Sequence, residues 1–307
     1  MPYGGWMGLE IRVVLVLGVV GCGAVSGNDK QDAAGGDVAQ GRCASTAAFG
    51  ALTALPGINT AADEFGARAT PDELTVFFPR RPAGETSDIY VASRATTGGV
   101  FSLPLALAGV NAAGLDNFAP TVTGDALTLY QMAPGGSSGY DIYVSTRASL
   151  AADFSPPADV TVLSVDAASE RDPYVLPSGN ALYYSREGAG DERIYRSTLS
   201  SGGFSAPQEV IAVNKDGQKT FAPVVTPDEL TMYFASLRPD PAAMGGWDVW
   251  VSRRASTAGP FGPPVIVPEL SSPMDDWPTW VSADGCVIYV ASARAGGFDA
   301  YEARRGD

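Results

Sequence analysis

The sequence contains no histidine, and its 20 lysine and arginine residues are outnumbered by 34 aspartate and glutamate residues. Without imidazole groups, a Ser–His or Cys–His catalytic pair and a histidine-ligated metal site are excluded. The formal net charge of −14 would repel a phosphate backbone. We therefore expect no nucleic-acid partner, no metal and no other cofactor.

The sequence also lacks an apolar run long enough to cross a bilayer as a helix. Its main apolar stretch, residues 11–20, is about half the ~20 residues that a transmembrane helix needs, and it matches the hydrophobic region of a signal peptide. Small residues before Cys22 resemble the lipobox of bacterial lipoproteins. We therefore predict a lipoprotein signal peptide at 1–21, lipid attachment at Cys22 and a flexible tether at 22–41. The alternative is an ordinary secretory signal with an incidental cysteine, and the start codon stays open between the first two methionines.

A lipid anchor predicts a location in the bacterial cell envelope and favours the outer membrane, on a side that the sequence leaves open. Contact with the membrane is expected through the anchor only. The envelope is an oxidising compartment, where disulfides persist. Once Cys22 carries lipid, Cys43 and Cys286 remain, and an even remainder permits one disulfide.

Internal repetition is the main signal in the rest of the chain. Five segments combine a tight turn with an alternating strand that ends in an aromatic residue, and these residues lie 50 to 56 positions apart: Phe77, Tyr130, Tyr183, Tyr233 and Tyr289. A second segment, Asp-Ile-Tyr or a close variant, follows each of them, and a third, similar to Phe-Ser-x-Pro, follows four of them. No helical period accompanies these segments. Repeats of this length are typical of β-propeller blades.

Each repeat is interpreted as four short strands, so the predicted fold is an all-β propeller over residues 42–307. We expect five blades, with a six-bladed ring as the alternative. The fifth repeat ends after its third strand, but residues 42–50 near the N-terminus match the segment that precedes the fourth strand of repeat four. Residues 49–58 should therefore supply the missing strand and close the ring.

The same alignment makes a prediction about the two remaining cysteines. Cys286 begins the second strand of the fifth repeat, and Cys43 lies where the third strand of that blade would end. In antiparallel neighbours these two ends lie side by side. A Cys43–Cys286 disulfide is therefore predicted, with two unrelated thiols as the alternative.

The pattern Pro-Asp-Glu followed by Asp-Ile-Tyr-Val-Ser resembles the TolB-like (WD-like) propeller repeat of bacterial cell-envelope proteins. Residues 58–64 also resemble the segment between blades in such repeats. The resemblance covers residues 42–305 and implies a propeller. TolB itself has six blades and an additional N-terminal domain, neither of which is visible in this sequence. The resemblance therefore does not transfer TolB's partners.

Candidate binding residues come from loops that a propeller brings to one face. These loops lie before the first strand of each blade and between its second and third strands. The candidates combine carboxylates, arginines and aromatic rings: Glu64, Tyr140, Arg238, Trp247, Asp275, Asp276 and Arg294. Aromatic platforms beside charged groups suit sugars or peptides. In the alternative interpretation, the charged residues pair between blades and the aromatic rings cover blade edges.

These observations favour a lipid-anchored binding or scaffolding module for an envelope protein or glycan, and we expect no catalysis. The G-x-S-x-G pattern at 135–139 is interpreted as a loop, because no histidine can activate Ser137. The alternative function is a glycosidase that uses carboxylates alone at the channel mouth, with Glu64, Glu170 and Asp276 as candidates. A purely structural role in a larger envelope assembly also stays open.

Overall fold

A computed structural model describes residues 42–306, except 45, 108, 112–113, 136–138, 166 and 189. The predicted signal peptide, Cys22, the tether and Ser137 lie outside the described residues. Within that described part, the chain forms 22 strands and one short 3-10 helix, Pro268–Leu270. No helix in it is long and apolar enough to span a membrane.

The strands form five antiparallel sheets, each of which is one blade of a propeller. The first strand of the chain is β1 (Thr53–Ala54). Blade one contains β2 (Asp63–Glu64), β3 (Arg68–Ala69), β4 (Thr75–Arg81), β5 (Asp88–Ser93) and β6 (Leu105–Ala106). Blade two contains β7 (Phe118–Val122), β8 (Thr128–Gly135), β9 (Gly139–Thr146) and β10 (Ala158–Asp159).

Blade three contains β11 (Ser169–Val175), β12 (Ala181–Gly188), β13 (Asp191–Ser200), β14 (Gly203–Phe204) and β15 (Gln208–Glu209). Blade four contains β16 (Thr220–Val225), β17 (Thr231–Ser236), β18 (Asp248–Arg253) and β19 (Val265–Ile266). Blade five contains β20 (Asp276–Val281), β21 (Val287–Ser292) and β22 (Asp299–Arg304), with β1 as its outermost strand. The prediction of a five-bladed propeller is confirmed.

The turn between the first two strands is fixed by the same short-range hydrogen bonds in four of the blades. In each, an aspartate Oδ1 accepts the backbone N–H two residues later at 3.0 Å and a threonine or serine hydroxyl at 2.6 Å. These aspartates are Asp72, Asp125, Asp228 and Asp284. Local side-chain bonds of this kind favour a turn over continued strand.

The hydrophobic core lies between the blades. Each blade is covered on both faces by its neighbours, so the second strands are buried on both sides and lose their alternation. Residues 76–79 of β4 and 181–185 of β12 are all buried. The largest fully buried side chains come from such strands: Phe77, Phe78, Tyr183, Tyr184, Tyr233, Phe234 and Tyr289.

The ring is closed by the N-terminal segment, as the repeat alignment predicts. In the register of β1 and β22, Thr53 lies opposite Glu302 and Ala54 opposite Tyr301. Phe49 forms an isolated antiparallel bridge with Arg305. The first and last parts of the described chain therefore share one blade. Because β1 pairs with β22, β22 is not left as an open edge strand.

Two further links attach this segment to the ring. Cys43 and Cys286 form a disulfide with their Cα atoms 5.7 Å apart. Arg42 donates a hydrogen bond to the Asp284 carboxylate at 2.9 Å and forms an ion pair with the buried Glu73 of blade one. The Arg42 pairing therefore connects blade five with blade one.

Candidate functional site

The innermost strands and the loops between second and third strands enclose a cavity of about 440 Å³ on one face of the propeller. We call it the mouth cavity. Its wall combines aromatic rings with charged side chains: Phe65, Phe118, Ala119, Met132, Tyr140, Arg171, Asp172, Glu192, Lys219, Phe221, Trp247, Asp275, Trp277 and Phe298. Its volume lies toward the lower end of the ~300–1,000 Å³ range of ligand pockets.

Seven aromatic rings form a continuous series along this wall, which we call the aromatic arc. Neighbouring ring centroids lie 4.5 to 6.1 Å apart. In spatial order the rings are Tyr140, Phe118, Phe65, Phe298, Trp277, Phe221 and Trp247. The arc covers blades two, one, five and four, and it leaves the side of blade three open.

The arc arises from two positions of the repeat. One position lies in the innermost strand, where four blades carry an aromatic residue: Phe65, Phe118, Phe221 and Trp277. The other position lies just before the third strand or at its start, where three blades do: Tyr140, Trp247 and Phe298. Repetition around the ring therefore places the same kind of side chain on most of the mouth.

Blade three departs from the repeat at both positions. Arg171 occupies the innermost-strand position, and Glu192 occupies the position at the start of the third strand. Asp172, which follows Arg171, stands where the other blades carry glycine, alanine or proline. Its φ of 50° lies in the left-handed region, which aspartate tolerates better than most residues. The break in the repeat thus concentrates charge on one side of the mouth.

Glu192 is 3% exposed, and Ser185 Oγ donates a hydrogen bond to its Oε1 at 2.8 Å. Burial and, next, the negative charge of Asp172 raise the pKa of Glu192 to about 7. Burial also raises the pKa of Asp172, against the opposing effect of Arg68 and Arg171. The negative charge of Asp172 therefore disfavours ionisation of Glu192, and burial disfavours ionisation of both carboxyl groups.

The two basic residues that line the mouth cavity, Arg171 and Lys219, form ion pairs with the same carboxylate, that of Glu187. Arg171 lies 3.0 Å from Glu187, and Lys219 forms an ion pair with the same carboxylate. These groups are partly exposed, so a ligand in the cavity can reach them. Blade three therefore offers hydrogen-bond donors and acceptors side by side.

Arg68 is the first residue of β3 in blade one. Its guanidinium donates hydrogen bonds to the backbone carbonyls of Ala119, at 3.4 Å, and Pro173. The side chain is 5% exposed and lies over the ring of Tyr174, and burial lowers its pKa to about 10. Arg68 thus links blades one, two and three inside the channel.

Three of the binding residues predicted from the sequence lie in the wall of the mouth cavity. Tyr140 and Trp247 are the two ends of the aromatic arc. Asp275 also lines the cavity, and its Oδ1 accepts the backbone N–H of Trp247 at 3.0 Å.

The structure places the other four predicted residues elsewhere. Glu64 is fully buried and pairs with Arg80 at 2.7 Å, and Asp276 is fully buried and pairs with Arg294 at 2.8 Å. Arg238 is 9% exposed and donates to the carbonyl of Val213 at 2.6 Å, and burial lowers its pKa to about 10. None of them lines the mouth cavity.

The carboxylates considered for a glycosidase, Glu64, Glu170 and Asp276, are also buried in ion pairs. Glu170 is fully buried and pairs with Arg186 at 2.6 Å, in the manner of Glu64 and Asp276. Glu64 and Glu170 pair with an arginine on the second strand of their own blade, and Asp276 pairs with Arg294, two residues beyond that strand. They hold two strands together and do not face one another across the mouth. Among the described residues there is also no group of three or more potential metal ligands.

No family model matches the sequence, and no curated protein matches it. The fold is similar to that of solved propellers of two kinds. TolB from Acinetobacter baumannii is 15% identical, with a TM-score of 0.50 over 81% of this chain and 56% of that one. This chain therefore spans little more than half the length of that TolB.

Glycosidases share the fold as well. An α-L-arabinofuranosidase from Podospora anserina, solved with cellotriose, is 12% identical, with a TM-score of 0.56 over 86% of this chain and 98% of that one. An endo-arabinase from Bacteroides thetaiotaomicron is 15% identical, with a TM-score of 0.57 over 82% and 97%. At these identities the similarity shows the fold alone.

The prediction that the protein is not an enzyme was wrong to exclude catalysis. It relied on the missing histidine and on acidic residues that follow the repeat. Glycoside hydrolysis needs only two carboxylates, and the fold of this chain is found in glycosidases. The mouth cavity does contain two neighbouring carboxylates, but they are Asp172 and Glu192 of blade three.

Proposed function

We propose that the mouth cavity binds a glycan of the bacterial envelope. The observation that carries this proposal is the aromatic arc, which lines four of the five blades. Sugar rings present flat C–H faces that stack on aromatic side chains, and such rings contribute most of the contact area in a pocket of this kind. A glycan therefore fits the wall better than a compact ion does.

The charged side of the cavity supports the same ligand class. Sugar hydroxyls both donate and accept hydrogen bonds. Blade three and the residue before β16 offer carboxylates as well as cations: Arg171, Asp172, Glu192 and Lys219. Because these groups lie on one side only, they would orient a ligand that the aromatic arc holds by stacking. The similar glycosidase folds make a glycan the ligand to test first.

The test uses the full chain in detergent and a panel of envelope glycan fragments, with intrinsic tryptophan fluorescence as the readout. Trp247 and Trp277 should report binding directly, because both line the cavity. Trp277→Ala should weaken binding about fivefold or more, since a stacked ring contributes on the order of 1 kcal/mol or more. Trp277→Phe, which keeps a ring, should retain most of it. Equal binding by the alanine variant would contradict the proposal, and so would a panel without any ligand.

Hydrolysis of the bound glycan is the second candidate function. Glu192 and Asp172 both line the cavity and both have raised pKa values, so this side of the mouth supplies the two carboxyl groups that glycoside hydrolysis needs. Glu192→Gln and Asp172→Asn should then abolish release of reducing ends while the glycan still binds. Binding without any cleavage by the unmodified protein would rule out this candidate and leave the first intact.

We further propose that the protein is held at the envelope by lipid on Cys22. The small residues before this cysteine and the apolar run at 11–20 support the proposal. Cells expressing the protein should incorporate a labelled fatty acid into it, and Cys22→Ser should lose the label. Labelling of the serine variant would contradict an anchor at this residue.

A further inference from the structure

We propose that the blade four and blade five half of the aromatic arc is a subsite for a cationic amino group, so that the preferred glycan carries an amino sugar. Four rings form this half: Phe298, Trp277, Phe221 and Trp247. The sugar part of the proposal rests on the proposed function, whereas the amino-group part does not.

The two halves of the arc differ in the cations that cover them. On the other half, Arg81 lies 4.6 Å from the ring centroid of Phe65, and Arg171 lies 5.5 Å from that of Tyr140. Within the described part of the chain, no lysine or arginine lies over any of the four rings named above. Aromatic faces attract cations, and tryptophan does so most strongly. This half of the arc therefore lines the cavity without a cation of the described protein over its rings.

The carboxylates near these rings supply the matching charge. Asp275 lies beside Trp247, with Oδ1 taken by the Trp247 N–H, so its other oxygen can accept a ligand proton. Asp172 and Glu192 line the same cavity. Its two cations, Arg171 and Lys219, both pair with Glu187. The acidic side chains of the wall thus outnumber the basic ones, and the net charge of −14 attracts cations from a distance.

Amino-group binding should also depend on pH. An ammonium group in the cavity favours the ionised form of Glu192, whose pKa is about 7. The charged groups that face Glu192 from the neighbouring strands are Arg171 and Asp172 on β11, Glu187 on β12 and Lys219 before β16. Affinity for tetramethylammonium, whose charge does not change with pH, should therefore increase as the pH rises through about 7, and Glu192→Gln should remove this dependence.

The experiment compares three monosaccharides with one another and with tetramethylammonium, using the full chain and tryptophan fluorescence. We expect glucosamine to bind about tenfold tighter than glucose or N-acetylglucosamine, which have no cationic amine. We expect tetramethylammonium to compete with glucosamine. Asp275→Asn, which is nearly isosteric, should remove the preference for glucosamine over glucose. Asp153→Asn, in an exposed loop of blade two, is the matched control and should leave this preference unchanged.

The outcomes separate this inference from the proposed function. Equal affinity for glucosamine and N-acetylglucosamine would overturn the amino subsite and leave glycan binding intact. Binding of tetramethylammonium without any sugar would support the subsite and contradict the glycan proposal. If neither glucosamine nor tetramethylammonium binds, the subsite is refuted. A thermal unfolding curve for each variant excludes loss of folding as the cause.

Discussion

Glu192 shows at the residue scale how one substitution in a repeat changes the chemistry of a site. Three other blades carry an aromatic ring at this position, and blade three carries a buried carboxyl group. Burial beside Asp172 makes ionisation of the Glu192 carboxyl group unfavourable. An aromatic ring at this position has no charge to bury. A buried ionisable side chain that lowers the stability of the folded protein is a candidate functional residue.

This cost makes a prediction for stability. The pKa of Glu192 is raised from 4.5 to about 7 in the folded protein, so the folded state holds the proton more tightly than the unfolded state. Its contribution to stability is therefore present below pH 4.5 and is lost as the pH rises to about 7. Glu192→Gln should raise Tm above pH 7, by about 2–4 °C for each kcal/mol relieved. Thermal denaturation across this pH range checks it, and an equal Tm difference at every pH would contradict it.

Asp276 gives a second prediction at this scale. It is fully buried and pairs with Arg294 at 2.8 Å, and Ser272 Oγ donates to it at 2.6 Å. Removal of one partner from such a pair leaves a poorly solvated charge, which costs about 3–5 kcal/mol. Asp276→Ala should therefore lower the free energy of unfolding by about this amount in a denaturant titration, whereas Asp153→Ala should change it by less than about 0.5 kcal/mol. Loss of ligand binding without loss of stability would contradict a structural role.

At the scale of elements, the blades could be predicted because every strand recurs with the same turn. The turn aspartate recurs in four blades, and the aromatic residue of the second strand recurs in all five, so an irregular repeat can be aligned with the others. The closing strand was predictable for the same reason, since residues 42–50 match a segment of blade four. The charge pairs were harder to predict, because each joins two strands whose residues lie 16 to 18 positions apart.

The mouth cavity could be predicted only in part. Tyr140 and Trp247 precede or begin a third strand, so their position near a loop was visible. The rings of the innermost strands were missed, because a register shift interrupts each of these strands after the ring, as between Phe118 and Thr121. A bulge reverses which face successive side chains occupy. The alternation of apolar and polar residues in the sequence therefore cannot show which face of the strand a side chain occupies. The signal that could have identified Arg171 and Glu192 was their departure from the repeat.

For the whole molecule, stability depends on how the ring is closed. A propeller is a cycle of blades, and blade five is completed only when β1 pairs with β22. We expect reduction of the Cys43–Cys286 disulfide to lower the free energy of unfolding by about 2–5 kcal/mol. Denaturant titrations with and without reductant measure this difference, and Cys286→Ser without reductant is the matched comparison. Identical midpoints would show that the bond does not support closure.

The closing strand itself gives a further prediction. Deletion of residues 42–60 removes β1 and leaves β22 with an unpaired edge. Amide hydrogen exchange should become faster in β22 and β21, while β8 of blade two should change least. Unchanged exchange in β22 would contradict closure by this segment.

The position of the disulfide also decides where the protein bears mechanical load. Cys43 lies ahead of β1 in the chain and is bonded to Cys286, immediately before β21 in the middle of blade five. A pull on the residues before Cys43 is therefore passed to the interior of the sheet, and the short pairing of β1 with β22 carries none of it. In the reduced protein the same pull would strip β1 away residue by residue. With the disulfide formed, force applied at the N-terminal side of Cys43 should therefore not unfold the propeller from that end.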